Sequence, residues 1–138
     1  MIPIKIVIFD GASGSGKTTL RYNLFYEMNF NILTIDRFTP SLWVYDYLRG
    51  INRNSEIKNF ESKFDLCFNP LLVMCDCDLE IAKSRVQDNK LRKRLFLIND
   101  EKNAFSKYLN EICNFSNFLK LDTNNSIEEC ISKILEKI

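Results

Sequence analysis

Short apolar runs alternate along this chain with segments in which apolar residues recur every three or four positions. The runs at Ile2 to Phe9 and Leu71 to Cys77 contain no regular polar positions, which is typical of parallel strands buried on both faces. Shorter runs at Asn31 to Ile35 and Phe118 to Leu121 predict two further strands. The pattern therefore predicts four strands separated by helices.

Helical spacing fills the segments between these runs. Leu20, Leu24 and Met28 recur at four-residue intervals, and Ser126 with Glu129 forms a capping box before the last helix. Strands that alternate with helices imply an α/β fold, an open parallel sheet of about four strands with helices on both faces and right-handed crossovers. We expect one domain over residues 1–138, with helices at 17–28, 40–50, 54–64, 78–87, 100–115 and 127–138.

The composition limits the kinds of catalytic and binding site that the chain can form. The 19 basic and 18 acidic residues leave a formal net charge of +1, which argues against binding to nucleic acid through bulk charge. The chain contains no histidine, which excludes Ser-His-Asp and Cys-His catalysis and any histidine-ligated metal. Any anion site must therefore be local and must use other side chains.

The apolar runs also bear on location. All are much shorter than the roughly 20 residues that span a bilayer, and Met1 to Lys5 lacks the features of a signal peptide. Five cysteines without a C-x-x-C pair fit reduced thiols. We therefore expect a cytoplasmic protein without a membrane partner.

A glycine-rich segment follows the first predicted strand and precedes the first predicted helix. Gly11 to Thr18 satisfies G-x-x-x-x-G-K-[ST], the phosphate loop, in the strand-loop-helix context that this motif requires. Its backbone N–H groups surround phosphate, Lys17 bridges phosphates and the Thr18 hydroxyl is offered to Mg²⁺. The predicted cofactors are ATP and Mg²⁺, bound by Gly11, Ser13, Gly14, Ser15, Gly16, Lys17, Thr18 and Thr19.

Several classes of protein share this loop, and other segments separate them. A GTPase needs N-K-x-D, whereas Asn89-Lys90 is followed by Leu91 and Arg92. Leu72 to Asp76 could provide the acidic strand end of a transport ATPase or helicase, but no catalytic glutamate follows it. The remaining class is the kinases of small molecules.

Asp36 and Arg37 follow the second predicted strand. In parallel α/β sheets ligands bind at the carboxyl ends of the strands, which is also where the phosphate loop lies. Phosphoryl transfer needs an acid near the transferred group and arginines that neutralise developing charge. Asp36 is therefore predicted as the catalytic acid beside the transferred group, with an N-cap role as the alternative, and Asp10 and Asp76 are further candidates at this edge.

Asp36 to Tyr45 reads D-R-F-T-P-S-L-W-V-Y and resembles the D-R-[YF]-x-x-S-x-x-A-Y signature of thymidylate kinases. Phe9-Asp10-Gly11, Pro70 to Val86 and Leu121 to Glu129 are similar to other segments of that family. The resemblance to these nucleoside and nucleotide kinases implies that Arg37 holds the acceptor phosphate or the transferring group. It also implies that Asp36 acts through Mg²⁺ or on the acceptor.

The same resemblance assigns Arg92 and Arg94 as catalytic arginines of a lid around residues 85–100. From Lys83 to Arg94 the chain has six basic residues and one acid, and Arg85 belongs with these arginines, whereas Lys83, Lys90 and Lys93 fit a solvated helix face. The aromatic residues that follow Arg37 in the sequence fit a core stripe better than a base-stacking platform. They are Phe38, Trp43, Tyr45 and Tyr47.

The resulting hypothesis is ATP-dependent phosphoryl transfer to a nucleoside or nucleoside monophosphate by a shortened, thymidylate kinase-like enzyme. The loop is also similar to that of uridine kinases, and an aspartate at a strand end acts as base in these and in bacteriophage polynucleotide kinase. A 5′-hydroxyl polynucleotide kinase is therefore one alternative. The short chain and Ser13, where the family has an acidic residue, favour another, an ATP-binding module without turnover. The sequence is also compatible with a homodimer.

Overall fold

The computed structural model describes residues 4–86 and 96–138. Four parallel strands form one sheet in the order β2-β1-β3-β4, with β1 between two neighbours. This confirms the predicted α/β fold with an open parallel sheet. The strands are β1 (Lys5–Asp10), β2 (Ile32–Asp36), β3 (Leu71–Asp76) and β4 (Phe118–Asp122).

Within residues 4–86 and 96–138, six helices connect or follow the strands, and two of them end away from the predicted residue. The helix predicted at 54–64 continues to Phe68 and ends where Asn69 adopts a left-handed conformation. The helix predicted at 100–115 stops at Glu111, because the backbone N–H groups of Asn114 and Ser116 bind carboxylates of the helix at Asn54–Phe68 instead. The helices are α1 (Lys17–Glu27), α2 (Thr39–Leu48), α3 (Asn54–Phe68), α4 (Leu79–Arg85), α5 (Ile98–Glu111) and α6 (Ile127–Lys137).

The core has two layers, one on each face of the sheet. Alternate strand residues such as Val7 and Val73 pack against α1 and α6, while Ile8 and Leu72 pack against α2, α3 and α5. These strand side chains are fully or almost fully removed from water. Burial on both faces explains why the strand sequences lack polar alternation.

All four strands end in an aspartate, and the register brings these ends to one edge of the sheet. Phe9 pairs with Asp36, Asp10 pairs with Met74, and Asp76 pairs with Asp122. This edge also begins the phosphate loop, since Gly11 follows Asp10 directly. The fold thus concentrates carboxylates where parallel α/β sheets bind ligands.

The five cysteines are all free thiols, and Cys75, Cys77 and Cys130 are buried. Over residues 4–86 and 96–138, no cluster of three or more cysteine, aspartate or glutamate side chains has the arrangement of a metal site. Within the same residues, no helix is long and apolar enough to cross a membrane.

Candidate functional site

The loop between β1 and α1 turns through three glycines with positive φ. Gly11, Gly14 and Gly16 have φ values of 139°, 76° and 85°, a region that side chains with a Cβ rarely adopt. A Cβ on Gly14 would overlap the carbonyl group of Ala82, and one on Gly11 would overlap that of Cys75. The three glycines therefore allow the loop to curl tightly against β3 and α4.

Lys17 begins α1, and its side chain is almost completely buried within the loop. Its ammonium donates a hydrogen bond to the carbonyl oxygen of Ala12 at 3.2 Å. Burial and, to a lesser extent, the nearby Arg37 lower the pKa of Lys17 to about 8. A desolvated ammonium in this position would interact strongly with a phosphate group that replaced the carbonyl.

A cavity of about 680 Å³ opens beside the loop, a volume in the range of small-molecule sites. One part of its wall is formed by the loop and α1, a second by Asp36 and Arg37, and a third by the end of α4 and the β4-α6 connection. Of the predicted nucleotide-binding residues it includes Ser13, Gly14, Gly16, Lys17, Thr18 and Thr19.

Two predicted nucleotide-binding residues, Gly11 and Ser15, are absent from the cavity lining. Gly11 packs against β3. Ser15 is buried, and its Oγ has no hydrogen-bond partner among the described residues. Gly11 and the side chain of Ser15 therefore shape the loop, while the backbone of Ser15 lies between the lining residues Gly14 and Gly16.

Arg37 reaches from the end of β2 to the outer part of the loop. Its Nη1 donates to the Ser41 hydroxyl at 2.9 Å and the Gly11 carbonyl at 3.4 Å, and its Nη2 lies 3.5 Å from the Ser13 hydroxyl. The guanidinium also lies 5.8 Å from the ring centre of Tyr45. These contacts place a cation beside the loop that the sequence motif predicts to bind phosphate.

Asp36 ends β2, is exposed and lines the same cavity as Lys17 and Arg37. The alternative interpretation of Asp36 as a helix N-cap is wrong, because α2 begins at Thr39 and Phe38 is its N-cap residue. The carboxylate therefore faces the cavity edge and has no part in starting the helix.

The two other candidate acids are held by protein groups. Asp10 is completely buried and accepts hydrogen bonds from Gly11, Phe38 and Ser41. Burial raises its pKa, and these hydrogen bonds oppose that effect. Asp76 forms an ion pair with Lys102 at 3.0 Å. Neither residue is part of the cavity lining, so the structure brings only Asp36 of the three to the cavity.

The far wall of the cavity holds Arg85, which the sequence grouped with the lid arginines, and residues of the β4-α6 connection that it did not single out. Thr123 is buried after β4 and donates through its hydroxyl to the carbonyl oxygens of Ser15 or Asp76. Arg85 donates to the carbonyl oxygens of Gly14 at 3.2 Å and Thr123 at 2.9 Å. The strand-end rule that identified Asp36 could have found Thr123, whereas Asn125 and Ile127 carry no comparable motif.

The aromatic residues of α2 divide between packing and the site. Trp43 is buried, stacks on Tyr47 at 4.9 Å and donates from Nε1 to Asn54. Phe38 packs on rings of α3. Tyr45 remains beside Arg37 and stacks on Phe96 at 6.2 Å. The core-stripe interpretation therefore suits Trp43 and Phe38, whereas Tyr47 is exposed and Tyr45 borders the site.

Arg92, Arg94 and most of the segment predicted as a lid lie outside the described residues. The structure places its two ends, Arg85 with Val86 at the cavity and Phe96 against Tyr45. The role of the two arginines therefore remains a prediction from the sequence.

No protein-family model matches the sequence, and a search of curated protein sequences gave no match. Solved structures match the fold. The YorR protein of Bacillus subtilis in complex with phosphorylated GDP has a TM-score of 0.71 at 18% identity, covering 96% of this chain and 94% of that chain. Deoxyadenosine kinase from M. mycoides with bound dATP has a TM-score of 0.64 at 13% identity, covering 97% and 98%.

A sugar kinase from Janibacter sp. HTCC2649 matches less closely, with a TM-score of 0.51 and 17% identity over 98% of this chain and 94% of that chain. At these identities the matches show a shared fold. The fold is thus shared with the deoxyadenosine kinase and YorR structures, and a specific match to thymidylate kinases is not supported.

Proposed function

We propose that this chain is an ATP- and Mg²⁺-dependent kinase that transfers the γ-phosphoryl group to a hydroxyl group of a nucleoside. The observation that carries the proposal is the common cavity of the phosphate loop and the Asp36–Arg37 pair. Deoxyadenosine kinase from M. mycoides, which has a similar fold and was solved with bound dATP, supports a nucleoside as the substrate class.

A hydroxyl acceptor fits the site better than a nucleoside monophosphate. A hydroxyl must lose its proton as it attacks phosphorus, and the exposed carboxylate of Asp36 is available to take it. Arg37, which donates to oxygens of Gly11 and Ser41 at the loop, is assigned to the transferring phosphoryl group and so does not serve as a clamp for an acceptor phosphate. Among the described residues, the acceptor side of the cavity thus offers a base more clearly than a phosphate clamp.

The donor nucleotide would lie along the loop. Backbone N–H groups, the start of α1 and Lys17 would bind its phosphates, while Arg85, Thr123 and Asn125 line the space left for its base. Thr18 and Asp36 line the same cavity with oxygen donors, which suit Mg²⁺. When bound, Mg²⁺ would neutralise charge on the phosphate oxygens.

In the proposed reaction the acceptor oxygen forms a bond to the γ-phosphorus as the bond to the β-phosphate oxygen breaks. Asp36 takes the hydroxyl proton and ADP leaves. Arg37 stabilises the charge that spreads over the phosphoryl oxygens.

The direct experiment supplies γ-labelled ATP with nucleosides, nucleoside monophosphates and 5′-hydroxyl oligonucleotides, and Lys17→Met is the control. Label on a nucleoside, absent with the variant, supports the proposal. Label on the monophosphates alone would move the acceptor to nucleotides, and salt-sensitive labelling of oligonucleotides would favour a polynucleotide kinase. ATP binding without transfer to any acceptor would contradict kinase activity.

A further inference from the structure

Asp10 lies buried beneath the phosphate loop, and its carboxylate connects that loop to residues 37–41. Oδ1 accepts from the Gly11 backbone N–H at 2.9 Å and the Ser41 hydroxyl at 2.5 Å. Oδ2 accepts from the backbone N–H groups of Phe38 at 3.0 Å and Ser41 at 2.9 Å. Both oxygens are therefore occupied by donors from two separate segments.

Arg37, which directly precedes Phe38 in the sequence, has an unfavourable backbone conformation. Its φ is 63°, in the left-handed region that is energetically unfavourable for a side chain with a Cβ. Such a conformation persists when surrounding contacts enforce it. The Arg37 backbone N–H is bound by Phe9 at 2.9 Å, and Asp10 binds the next N–H group along the chain.

The same carboxylate caps α2 from a distant part of the sequence. Phe38, the N-cap residue, has no side chain that can accept a hydrogen bond. Asp10 instead accepts from the N–H groups at the N-cap and third helical positions, which otherwise lack partners within a helix. A negative group here also interacts favourably with the helix dipole. Asp10 thus fixes where α2 starts and how the chain enters it.

Ser41 completes a connection from this carboxylate to the guanidinium. Its hydroxyl donates to Asp10 and accepts from Nη1 of Arg37 at 2.9 Å. Nη1 also lies 3.9 Å from Asp10 Oδ1. The serine in the D-R-x-x-x-S spacing therefore orients the arginine side chain, while Asp10 orients its backbone.

We propose that Asp10 is a positioning residue that holds Arg37 against the phosphate loop in the orientation needed for phosphoryl transfer. The inference rests on the proposed function, in which Arg37 acts on the transferring group. Asp10 touches no substrate and lies outside the cavity lining. Its effect on the reaction therefore passes through Arg37.

Asp10→Asn is the first test, because it keeps the shape of the side chain but replaces one acceptor oxygen by a donor NH₂ group. Turnover of the acceptor found with labelled ATP should fall at least about ten-fold. The ATP affinity should stay within about three-fold, since Lys17 and the loop N–H groups are retained. An equal loss of affinity and turnover would overturn the inference and assign Asp10 to loop structure alone.

A double-mutant cycle with Arg37→Ala gives the stricter test. If Asp10 acts through Arg37, the variant with both changes should turn over within about two-fold of Arg37→Ala alone. Losses that multiply would overturn the positioning role while leaving the proposed function intact. Normal turnover by Arg37→Ala would contradict the role of Arg37 in the proposed function itself, and the inference about Asp10 with it.

Ser41→Ala keeps the test decisive if Asp10→Asn does not fold, since it removes only the hydroxyl between Asp10 and Arg37. It should also lower turnover more than ATP affinity, with no further loss in combination with Arg37→Ala, and multiplying losses would overturn the inference. Asp65→Asn is the matched control. Asp65 lies on α3, away from the cavity, and accepts hydrogen bonds from the backbone N–H and the hydroxyl group of Ser116. Its turnover should be unchanged.

Discussion

The ammonium group of Lys102 on α5 lies 3.0 Å from the carboxylate of Asp76 at the end of β3. This ion pair neutralises the acid that resembled the metal-binding strand end of an ATPase. Asp10 is likewise bound by four donors, and Asp122 accepts from the Asn124 backbone. Of the four strand-end aspartates, Asp36 is the one in the cavity lining, and the proposed chemistry depends on it.

Lys17→Met should abolish measurable ATP binding and leave the fold intact. The methionine retains the apolar stem of the side chain but lacks the ammonium that would bridge phosphates. Calorimetric titration with MgATP measures the first effect and circular dichroism the second. An unchanged ATP affinity in the folded variant would contradict the assignment of the phosphate loop.

ATP affinity should depend on pH through Lys17. Burial lowers its pKa to about 8 in the free protein, so above that pH the ammonium is largely lost and ATP binding must take up a proton. We expect affinity to change little from about pH 7 to 8 and then to fall by up to about ten-fold per pH unit.

Calorimetry in two buffers with different ionisation enthalpies measures the proton uptake. The Cys130 thiol also lines the cavity and ionises at high pH, so Cys130→Ala should show the same decline. Constant affinity and no proton uptake between about pH 8 and about pH 10 would show that Lys17 does not supply the titrating charge.

Most of the fold could be predicted because its signals are local. Unbroken apolar runs such as Leu71 to Cys77 reflect burial on both faces of a parallel sheet, and the glycine-lysine-threonine spacing reflects the backbone of one loop. Ser126 accepts from the Glu129 backbone at 3.2 Å, as the capping box predicted.

The features that could not be predicted depend on contacts between distant residues. Asp10 caps a helix that begins 29 residues later, and its sequence context as a strand-end acid is no different from that of Asp36. The end of α5 depends on carboxylates of α3 that bind Asn114 and Ser116. Propensity and periodicity contain no information on such pairings.

Glu61 is a second residue whose importance emerges only from the structure. It is fully buried and accepts from the hydroxyl groups of Thr39 and Tyr108 and the Asn114 backbone. Glu61→Ala should lower the free energy of unfolding by about 3 kcal/mol, since it leaves buried donors without a partner. Chemical denaturation measures the loss.

The matched control for this prediction is Asp65→Ala. Asp65 is on the same helix and binds Ser116 near the surface, so its removal should cost less than about 1 kcal/mol. Equal losses for the two variants would mean that the buried network around Glu61 adds no more to stability than the near-surface hydrogen bonds of Asp65.

Arg92→Ala combined with Arg94→Ala should lower turnover by about 10²- to 10³-fold and leave ATP affinity within a few-fold. The reason is that arginines which act on charge developing in the transition state contribute little to ground-state binding. Lys90→Ala with Lys93→Ala is the control, because these lysines are predicted to face solvent, and it should turn over normally. Equal losses of affinity and turnover would identify the arginines as ordinary nucleotide contacts.

The most direct test of the proposed function is phosphoryl transfer by Asp36→Asn. Asparagine preserves the size of the side chain but can neither take a hydroxyl proton effectively nor offer Mg²⁺ a full charge. Asp78→Asn is the control, since Asp78 is an exposed aspartate beyond β3 whose side chain makes no capping hydrogen bond to α4. With γ-labelled ATP and the preferred nucleoside, Asp36→Asn should retain ATP affinity within a few-fold and lose about 10²- to 10⁴-fold in transfer rate. A normal transfer rate would contradict the account and place the base elsewhere.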